Sequence, residues 1–500
     1  MGKPVKPRTN LLLLLAGLLF VVVNTAQTRG QSVPVQTKAK PAEIAARLET
    51  MLPPLMKEAQ IPGLSIALVR DGKLVWQHGY GVKNAQTQEP VTDTTVFEAA
   101  SLSKPVFAYA VLKLVDAGKF DLDTPLNKYL PGNYDVADDA RIGQITARHV
   151  LSHRTGFPNW RNGALKIFFT PGQRYSYSGE GFVYLAKVIE HVTGQSFNDF
   201  MKATVFTPLG MTNSSYIWQN SYDTQKTFRH DASGKVTGQN RQGSANAAAS
   251  LHTTAQDFGL FVAAILQGRG LKPATRQLML TSQGNVLAGG ANSLFRPNAQ
   301  PVPDVSWGLG WGLQTTKDGV SFWHWGDNGN CKAYVVAFEK QKLGVVFFAN
   351  SARGLSIARE IVAATVGGEQ PALTWLNYES YNSPPRRLLK NILAQGAEAA
   401  LNEYRQQRKE QPANAIPEDQ MNSLGYELLN VHQRVKDAIA VFQQNVADFP
   451  QSSNVYDSLG EAYAISGDKA QAINNYERAV ALDPNNTGSA EALKKLRATP

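Results

Sequence analysis

Phe97-Glu-Ala-Ala-Ser101-Leu-Ser-Lys104-Pro105 sets a hydroxyl and an amine three residues apart where a helical pattern begins. Helix positions i and i+3 share a face, so Lys104 can sit beside the Ser101 hydroxyl and help remove its proton. A serine in the first turn also gains from the positive potential of the helix N-terminus, where an oxyanion would form. Pro105 is tolerated in that first turn, and Gly118 closes a helix expected over 101–118. The spacing alone is common, and Ser466-Gly-Asp-Lys469 repeats it around a Gly467-Asp468 turn signal. The first copy therefore depends on partners elsewhere in the chain.

Acyl transfer by serine needs a base, an oxyanion hole and a route for protons to the leaving group. Tyr175-Ser-Tyr177-Ser-Gly179 follows Thr170-Pro-Gly-Gln-Arg174 and precedes a helical pattern, so it reads as a loop able to aim a phenol at a cleft. A tyrosine whose pKa is lowered by a nearby ammonium shuttles protons. The same segment alone also reads as a loop tyrosine packed on the next helix. Trp323-His324-Trp325-Gly326-Asp327 ends a strand-like run. Alternation along a strand places His324 opposite both tryptophans. Gly326 would let a substrate approach the backbone, and the Asp327 amide would pair with that of Ser101 as an oxyanion hole. The plain alternative is a surface histidine between core tryptophans. His149 and His153 stand at i and i+4, but no His-Glu-x-x-His motif and no third ligand accompany them, so no metal is expected. No Gly-x-Ser-x-Gly elbow occurs, no cofactor is called for, and Cys331 reads as a small packed residue.

In this order and at these separations, Ser-x-x-Lys, Tyr-Ser-x and the C-terminal strand with its glycine resemble the serine β-lactamase and penicillin-binding-protein superfamily. The branch it resembles holds class C-like enzymes, D-peptidases and esterases. The resemblance covers residues 61–366 and includes Ile61-Pro-Gly-Leu-Ser-Ile-Ala-Leu-Val69, His149-Val-Leu-Ser-His-Arg-Thr-Gly-Phe-Pro158, Pro208-Leu-Gly-Met211 and Ser250-Leu-His-Thr-Thr-Ala255. It implies Ser101 as nucleophile, Lys104 as the group that activates it, and Tyr177 as general base for acylation and for the hydrolytic water. His324-Trp325-Gly326 would take the place of the family's Lys-Thr-Gly strand. Two positions depart from the pattern. Gly179 replaces the Asn that contacts an acylamide side chain in β-lactam enzymes, and His324 replaces the Lys that helps hold a carboxylate. Both departures turn the expectation towards an ester or a D-amino-acid amide or peptide.

Around these motifs the pattern suggests α+β architecture. A helical period through Ile44, Leu48, Leu52 and Leu55 precedes two short apolar runs joined by Asp71-Gly72, a strong hairpin signal. Strand-like runs return at 307–314, 320–325, 334–338 and 344–349, followed by a helical run over 352–366. Strands at both ends with helices between them predict an antiparallel sheet flanked by helices plus a helical insertion, with the serine between the two parts. The expected divisions are a signal over 1–26, a linker over 27–40, a hydrolase domain over 41–368, a connecting helix and linker over 369–417, and an all-α helical-repeat module over 418–497. In that module Tyr456, Leu459, Gly460, Tyr463, Ala472, Tyr476, Ala479 and Pro484 stand at tetratricopeptide spacings. A preceding copy shares them at an offset of 34 (Ala438, Ile439, Phe442, Pro450), and a helix over 386–408 is expected to stack on the pair.

Composition is that of a globular protein, 43% apolar and 18% charged, and 500 residues exceed a single core. Lys3, Lys6 and Arg8 precede an apolar run over 11–23, the layout of a secretory signal and short of the ~20 residues of a membrane span. The expectation is a periplasmic or secreted protein, an uncleaved anchor being the alternative. The single cysteine, Cys331, permits no internal disulfide, and no cysteine follows the apolar run to take a lipid. A net charge of +10 without a Lys/Arg run interleaved with aromatics gives no sign of nucleic-acid binding. The expected partners are a small-molecule or peptide substrate and a protein or peptide held by the repeats. Two rivals stand beside the esterase or D-peptidase reading: a true β-lactamase or D,D-carboxypeptidase, and a catalytically silent scaffold.

Overall fold

Asp71 and Gly72 both take positive φ, 50° and 70°, as a two-residue hairpin turn demands. They join β1 (Gly63–Arg70) to β2 (Lys73–Asn84), and β3 (Glu89–Pro90) lies outside β2. The computed structural model describes residues 33–498 except 132, 133 and 137, so the expected signal over 1–26 lies outside the described residues. Two short antiparallel pairs follow β3: β4 (Phe97–Ala100) with β7 (Leu251–Thr253), and β5 (Arg229–His230) with β6 (Val236–Gly238). Then come β8 (Gly284–Leu287), β9 (Pro301–Trp307), β10 (Gly312–Thr316), β11 (Gly319–Asp327), β12 (Lys332–Phe338) and β13 (Leu343–Ala349).

The main sheet has nine strands in the order β3-β2-β1-β13-β12-β11-β10-β9-β8. Leu64 faces Ala349 and Val69 faces Gly344, so the two ends of the domain close the sheet side by side. Every residue of β1, β12 and β13 is buried, and successive residues go to different cores. Leu64, Ile66, Leu68, Tyr334, Val336 and Phe347 join one; Ala67, Val69, Val335, Ala337 and Phe348 join the other. Period-two alternation thus feeds two helical layers. α1 (Pro41–Glu58) and the helix Ala358–Thr365 share the first core, whereas α2 (Ser103–Asp116) and the helix Ala255–Gln267 share the second with the helical insertion.

The run over 307–314, expected as one strand, is two. Gly310 takes φ +85° and its amide donates to the Leu151 carbonyl, so the chain reverses between Trp307 and Gly312, which face each other across the ladder. The C-terminal module holds two helix pairs, Glu418–Asn430 with Val435–Asp448 and Ser453–Ser466 with Lys469–Leu482, and a further helix Thr487–Ala498 packed on the last of them. The repeat glycines have a packing reason: a Cβ on Gly425 would lie 2.4 Å from the Phe442 ring, and one on Gly460 3.1 Å from Tyr476. The stretch over 386–408 is not one helix. Gly396, φ +87°, splits it into Pro384–Gln395 and Ala397–Glu410, and this hairpin shares a core with the first repeat. Ser466 ends its helix before Gly467 at φ +85°, a C-terminal turn. Among the described residues no helix is long and apolar enough to cross a membrane.

Candidate active site

Ser101 leaves β4 through a strained corner. The β4–β7 register shifts between Glu98 and Ala100, and Ala100 is held at φ +48°, an unfavourable region for a residue with a Cβ. Leu102 N–H donates to the Ala99 carbonyl and Lys104 N–H to the Ser101 carbonyl, both at 3.0 Å, so Ser101 stands just before α2 rather than within it. The Ser103 hydroxyl locks the corner, donating to the Ala100 carbonyl and accepting from the Leu251 amide. α2 then carries Lys104 inward to full burial.

Lys104 Nζ is 3.0 Å from Ser101 Oγ and 2.8 Å from the Ala248 carbonyl, and it lies over the Tyr177 ring, 4.6 Å from its centroid. Among the described residues no carboxylate joins these contacts. Burial holds the Lys104 ammonium well below its ordinary pKa, which favours the neutral amine. Tyr177 departs from the expectation of a lowered pKa. Burial pushes its phenol up, the neighbouring Ser101 hydroxyl pulling the other way with less effect. Lys104, neutralised by the same burial, supplies little of the field that would have lowered it. The Tyr177 hydroxyl is buried and outside hydrogen-bonding geometry with any described side chain.

β11 brings the third group. His324 is fully buried, and its Nδ1 is 2.7 Å from the Trp325 carbonyl. A carbonyl only accepts, so Nδ1 carries the proton and Nε2 keeps its lone pair. Burial above all pushes the imidazole pKa down to about 3, and any charge that the neighbouring Lys104 carries acts in the same direction. Strict alternation from the tryptophans does not hold: the His324 and Trp325 rings stack, 5.3 Å between centroids at 20°. The ladder from β10 stops at Trp323, which frees residues 324–327 from a partner on that side. Gly326 also has a different reason from the expected substrate approach. A Cβ there would lie 2.4 Å from the Ala99 carbonyl, so the glycine admits the protein's own backbone one residue before the strained corner. This close approach seats β11 against the Ser101 turn. Asn328 N–H donates to the Cys331 carbonyl; by antiparallel alternation, the next pair, Asp327–Lys332, has its amides turned outward. The Asp327 amide thus points away from β12, on the side β10 leaves open.

Three further residues shape the site, His153 in a role other than the metal ligation weighed from its spacing, Trp160 and Tyr378 without a sequence signal of their own. His153, fully buried, accepts the Ser178 amide on Nδ1 at 3.0 Å, and its carbonyl accepts the Ser176 amide at 2.9 Å. The short helix carrying His149 ends at Leu151 and His153 takes φ +56°, so the two histidines do not share a helix face. Trp160 lies over Gly179, where its ring carbons would be 2.7 Å from a Cβ. Tyr378 donates to Asp327 Oδ2 at 2.6 Å from beyond the sheet.

A helix-flanked antiparallel sheet meets a helical insertion at the buried Ser101–Lys104 pair, an arrangement chemically able to carry acyl transfer. Residues 48–365 match the model of the Beta-lactamase family, and the chain belongs to that family, whose members are serine hydrolases. Residues 453–486 match the tetratricopeptide repeat. The chain is 28% identical over 212 residues to penicillin-binding protein 4* of Bacillus subtilis strain 168, covering 38% of this chain and 45% of that protein. It is 26% identical over 206 residues to esterase EstB of Burkholderia gladioli, covering 35% and 52%. The chain therefore spans about half the length of these curated relatives. The octameric penicillin-binding protein homologue from Pyrococcus abyssi shares the fold, with a TM-score of 0.55 and 22% identity over 70% of this chain and 82% of that one.

Proposed function

We propose that this chain is an exported serine hydrolase that forms an acyl-enzyme on Ser101 and acts on an ester or a D-amino-acid amide or peptide. The observation that carries the reading is the buried Lys104 amine 3.0 Å from the Ser101 hydroxyl, with no carboxylate to keep it charged. A neutral amine accepts the Ser101 proton as Oγ attacks the carbonyl carbon. The amides of Ser101 and Asp327 receive the oxyanion. When the tetrahedral adduct collapses, the Tyr177 phenol protonates the leaving group, and the Lys104 ammonium beneath its ring restores that proton. Water then repeats the sequence: Tyr177 and Lys104 remove its proton, its oxygen bonds to the acyl carbon, and Ser101 leaves with a proton. In this scheme the neutral amine starts the reaction, and Tyr177 enters first as acid.

Two observations support an ester or amide over a β-lactam or a peptide with a free C-terminal carboxylate. His324, held neutral, offers no positive charge where a carboxylate would need one. Trp160 fills the space that a side chain at position 179 would use. The esterase and penicillin-binding protein among the relatives have names consistent with acyl transfer on either substrate class. Export rests on Lys3, Lys6 and Arg8 ahead of the apolar run, and N-terminal sequencing of the mature protein tests it. Catalysis is tested by fluorophosphonate labelling: the wild type labels and Ser101→Ala does not. Absence of labelling in both, with no turnover of p-nitrophenyl esters, would instead favour a silent scaffold. Faster turnover of nitrocefin or a D-Ala-D-Ala peptide than of simple esters would overturn the substrate assignment.

A further inference from the structure

The chain does not leave the hydrolase fold cleanly after residue 365, where the family match ends. The helix Pro371–Leu376 closes with Asn377 in the left-handed region, φ +52°, a conformation asparagine tolerates. The reversal places Tyr378 against the end of β11. Its hydroxyl donates to Asp327 Oδ2 at 2.6 Å, while Asp327 Oδ1 accepts from the Gly329 amide at 2.8 Å and pairs with Lys332. Lys332 Nζ also lies 5.6 Å from the Tyr378 ring centroid. On the preceding turn Trp375 is buried, donating Nε1 to the Leu287 carbonyl and packing near Trp325 and Tyr175, each 6.1 Å away between centroids.

We propose that Tyr378 is a positioning residue of the hydrolase, fixing through Asp327 the strand end whose amide receives the oxyanion. The inference rests on the acyl-enzyme reading given above. Residues 324–327 have ladder partners on β12 alone, because pairing with β10 ends at Trp323. A strand end laddered on one side, and braced beyond that by the Gly326 approach to Ala99 and the Asn328 side-chain bond to the Ala249 carbonyl, can still tilt, and an oxyanion donor loses most of its value when displaced by more than about 0.5 Å. Gly329 and Lys332 belong to the same hairpin as Asp327 and move with it. Tyr378 is anchored elsewhere, so its charge-assisted bond supplies an external reference. The connecting segment is then part of the catalytic unit rather than only a tether to the repeats.

The test uses the full chain and two readouts, the rate of Ser101 labelling by a fluorophosphonate and hydrogen–deuterium exchange of the peptide spanning 324–332. Tyr378→Phe, which keeps the ring, is expected to slow labelling about tenfold and to speed exchange in that peptide. With p-nitrophenyl butyrate, kcat should fall by a similar factor at nearly constant KM, since the oxyanion forms after binding. In an Asp327→Ala background, Tyr378→Phe should add almost nothing, because its acceptor is gone. Labelling and exchange both at the wild-type rate in a folded Tyr378→Phe would overturn the inference, as would a full additional loss in the Asp327→Ala background. A wild type that fails to label at Ser101 sinks the hydrolase reading itself, and with it the catalytic meaning of the contact.

Discussion

His153 grips the loop of Tyr177 at three points. Its ring lies 4.1 Å from the phenol ring at 31°, its Nδ1 takes the Ser178 amide, and its carbonyl takes the Ser176 amide. The residues on both sides of Tyr177 are therefore pinned to one histidine, whose pKa burial lowers so that it stays neutral. His153→Phe keeps the ring but strands a buried amide, a cost of about 1–3 kcal/mol. We expect kcat for ester hydrolysis to fall roughly 10- to 100-fold. His153→Asn, whose side-chain oxygen can still accept the amide, should recover part of that loss. Equal losses in the two variants would show that the acceptor is not what matters.

Lys104→Met should separate catalysis from stability. The variant keeps an unbranched side chain, one atom shorter, and removes the amine beside Ser101, so ester turnover should drop about a thousandfold. The amine is costly to bury, so the folded state should gain about 1 kcal/mol at pH 7, read as a rise in Tm of a few degrees. The sign with pH follows from the lowered pKa. Below the free lysine value of 10.5 the unfolded chain binds a proton that the folded chain gives up, so the wild type becomes more stable as pH rises. The Tm gap between variant and wild type should narrow from pH 7 to pH 9.5.

Gly326→Ala should damage the site through the backbone. The added methyl would meet the Ala99 carbonyl at 2.4 Å and Ala100 Cβ at 3.2 Å, and neither is the end of a flexible side chain. The Ser101 corner must shift or β11 must move away, and both displace the Ser101 and Asp327 amides proposed to receive the oxyanion. Labelling of Ser101 should slow by a factor of about 100, the cost of one oxyanion donor. Labelling at the wild-type rate would mean that the corner tolerates the shift.

Much of this arrangement was legible in the sequence because it obeys local rules. Asp71-Gly72 names its own turn, and the apolar runs of the central strands are long enough to signal burial on both faces. Ser101, Lys104, Tyr177 and His324 carry chemistry in their side chains, and the structure gathers all four. Other features have no local signature. Ala100 holds a positive φ that a sequence reader would grant to glycine, and Gly326 serves the backbone of a segment more than 220 residues earlier. Tyr378 reaches Asp327 across 51 residues from a stretch that reads as a linker. The pKa of Tyr177 runs opposite to what its motif suggests, because burial is a property of the fold that raises the phenol and disfavours the charge on the Lys104 amine beside it.

His252 should make the protein acid-sensitive. It is 1% exposed with neither ring nitrogen hydrogen bonded to a described group, and burial, then Lys226, push its pKa down to about 3. Between about pH 6.5 and 3 the unfolded chain takes up a proton here that the folded chain refuses. Stability therefore falls as pH drops through that window, by up to ~1.4 kcal/mol per pH unit for this residue. His252→Phe, packing against Trp218 and Tyr222, should flatten the dependence of urea-unfolding free energy on pH by one proton. An unchanged slope would show that His252 takes up its proton while folded.

Glu427 should decide whether the repeat module stays docked. It lies on the first repeat helix, and its two oxygens pair with Arg353, beside the last sheet strand, and with Arg386, on the hairpin between the two parts. The three side chains are only 11–12% exposed, and Glu379 pairs with Arg386 as well. Glu427→Ala leaves two guanidinium groups crowded in a poorly hydrated interface with one carboxylate between them. Breaking such a pair from one side costs about 3 kcal/mol, far more than an exposed ion pair is worth. The repeats keep their own core, so the module should loosen as a unit while remaining folded. Limited proteolysis should then cut within 377–383 well before either part unfolds, and the calorimetric trace should split into two transitions. A single transition at the wild-type temperature would show that apolar packing alone holds the module in place.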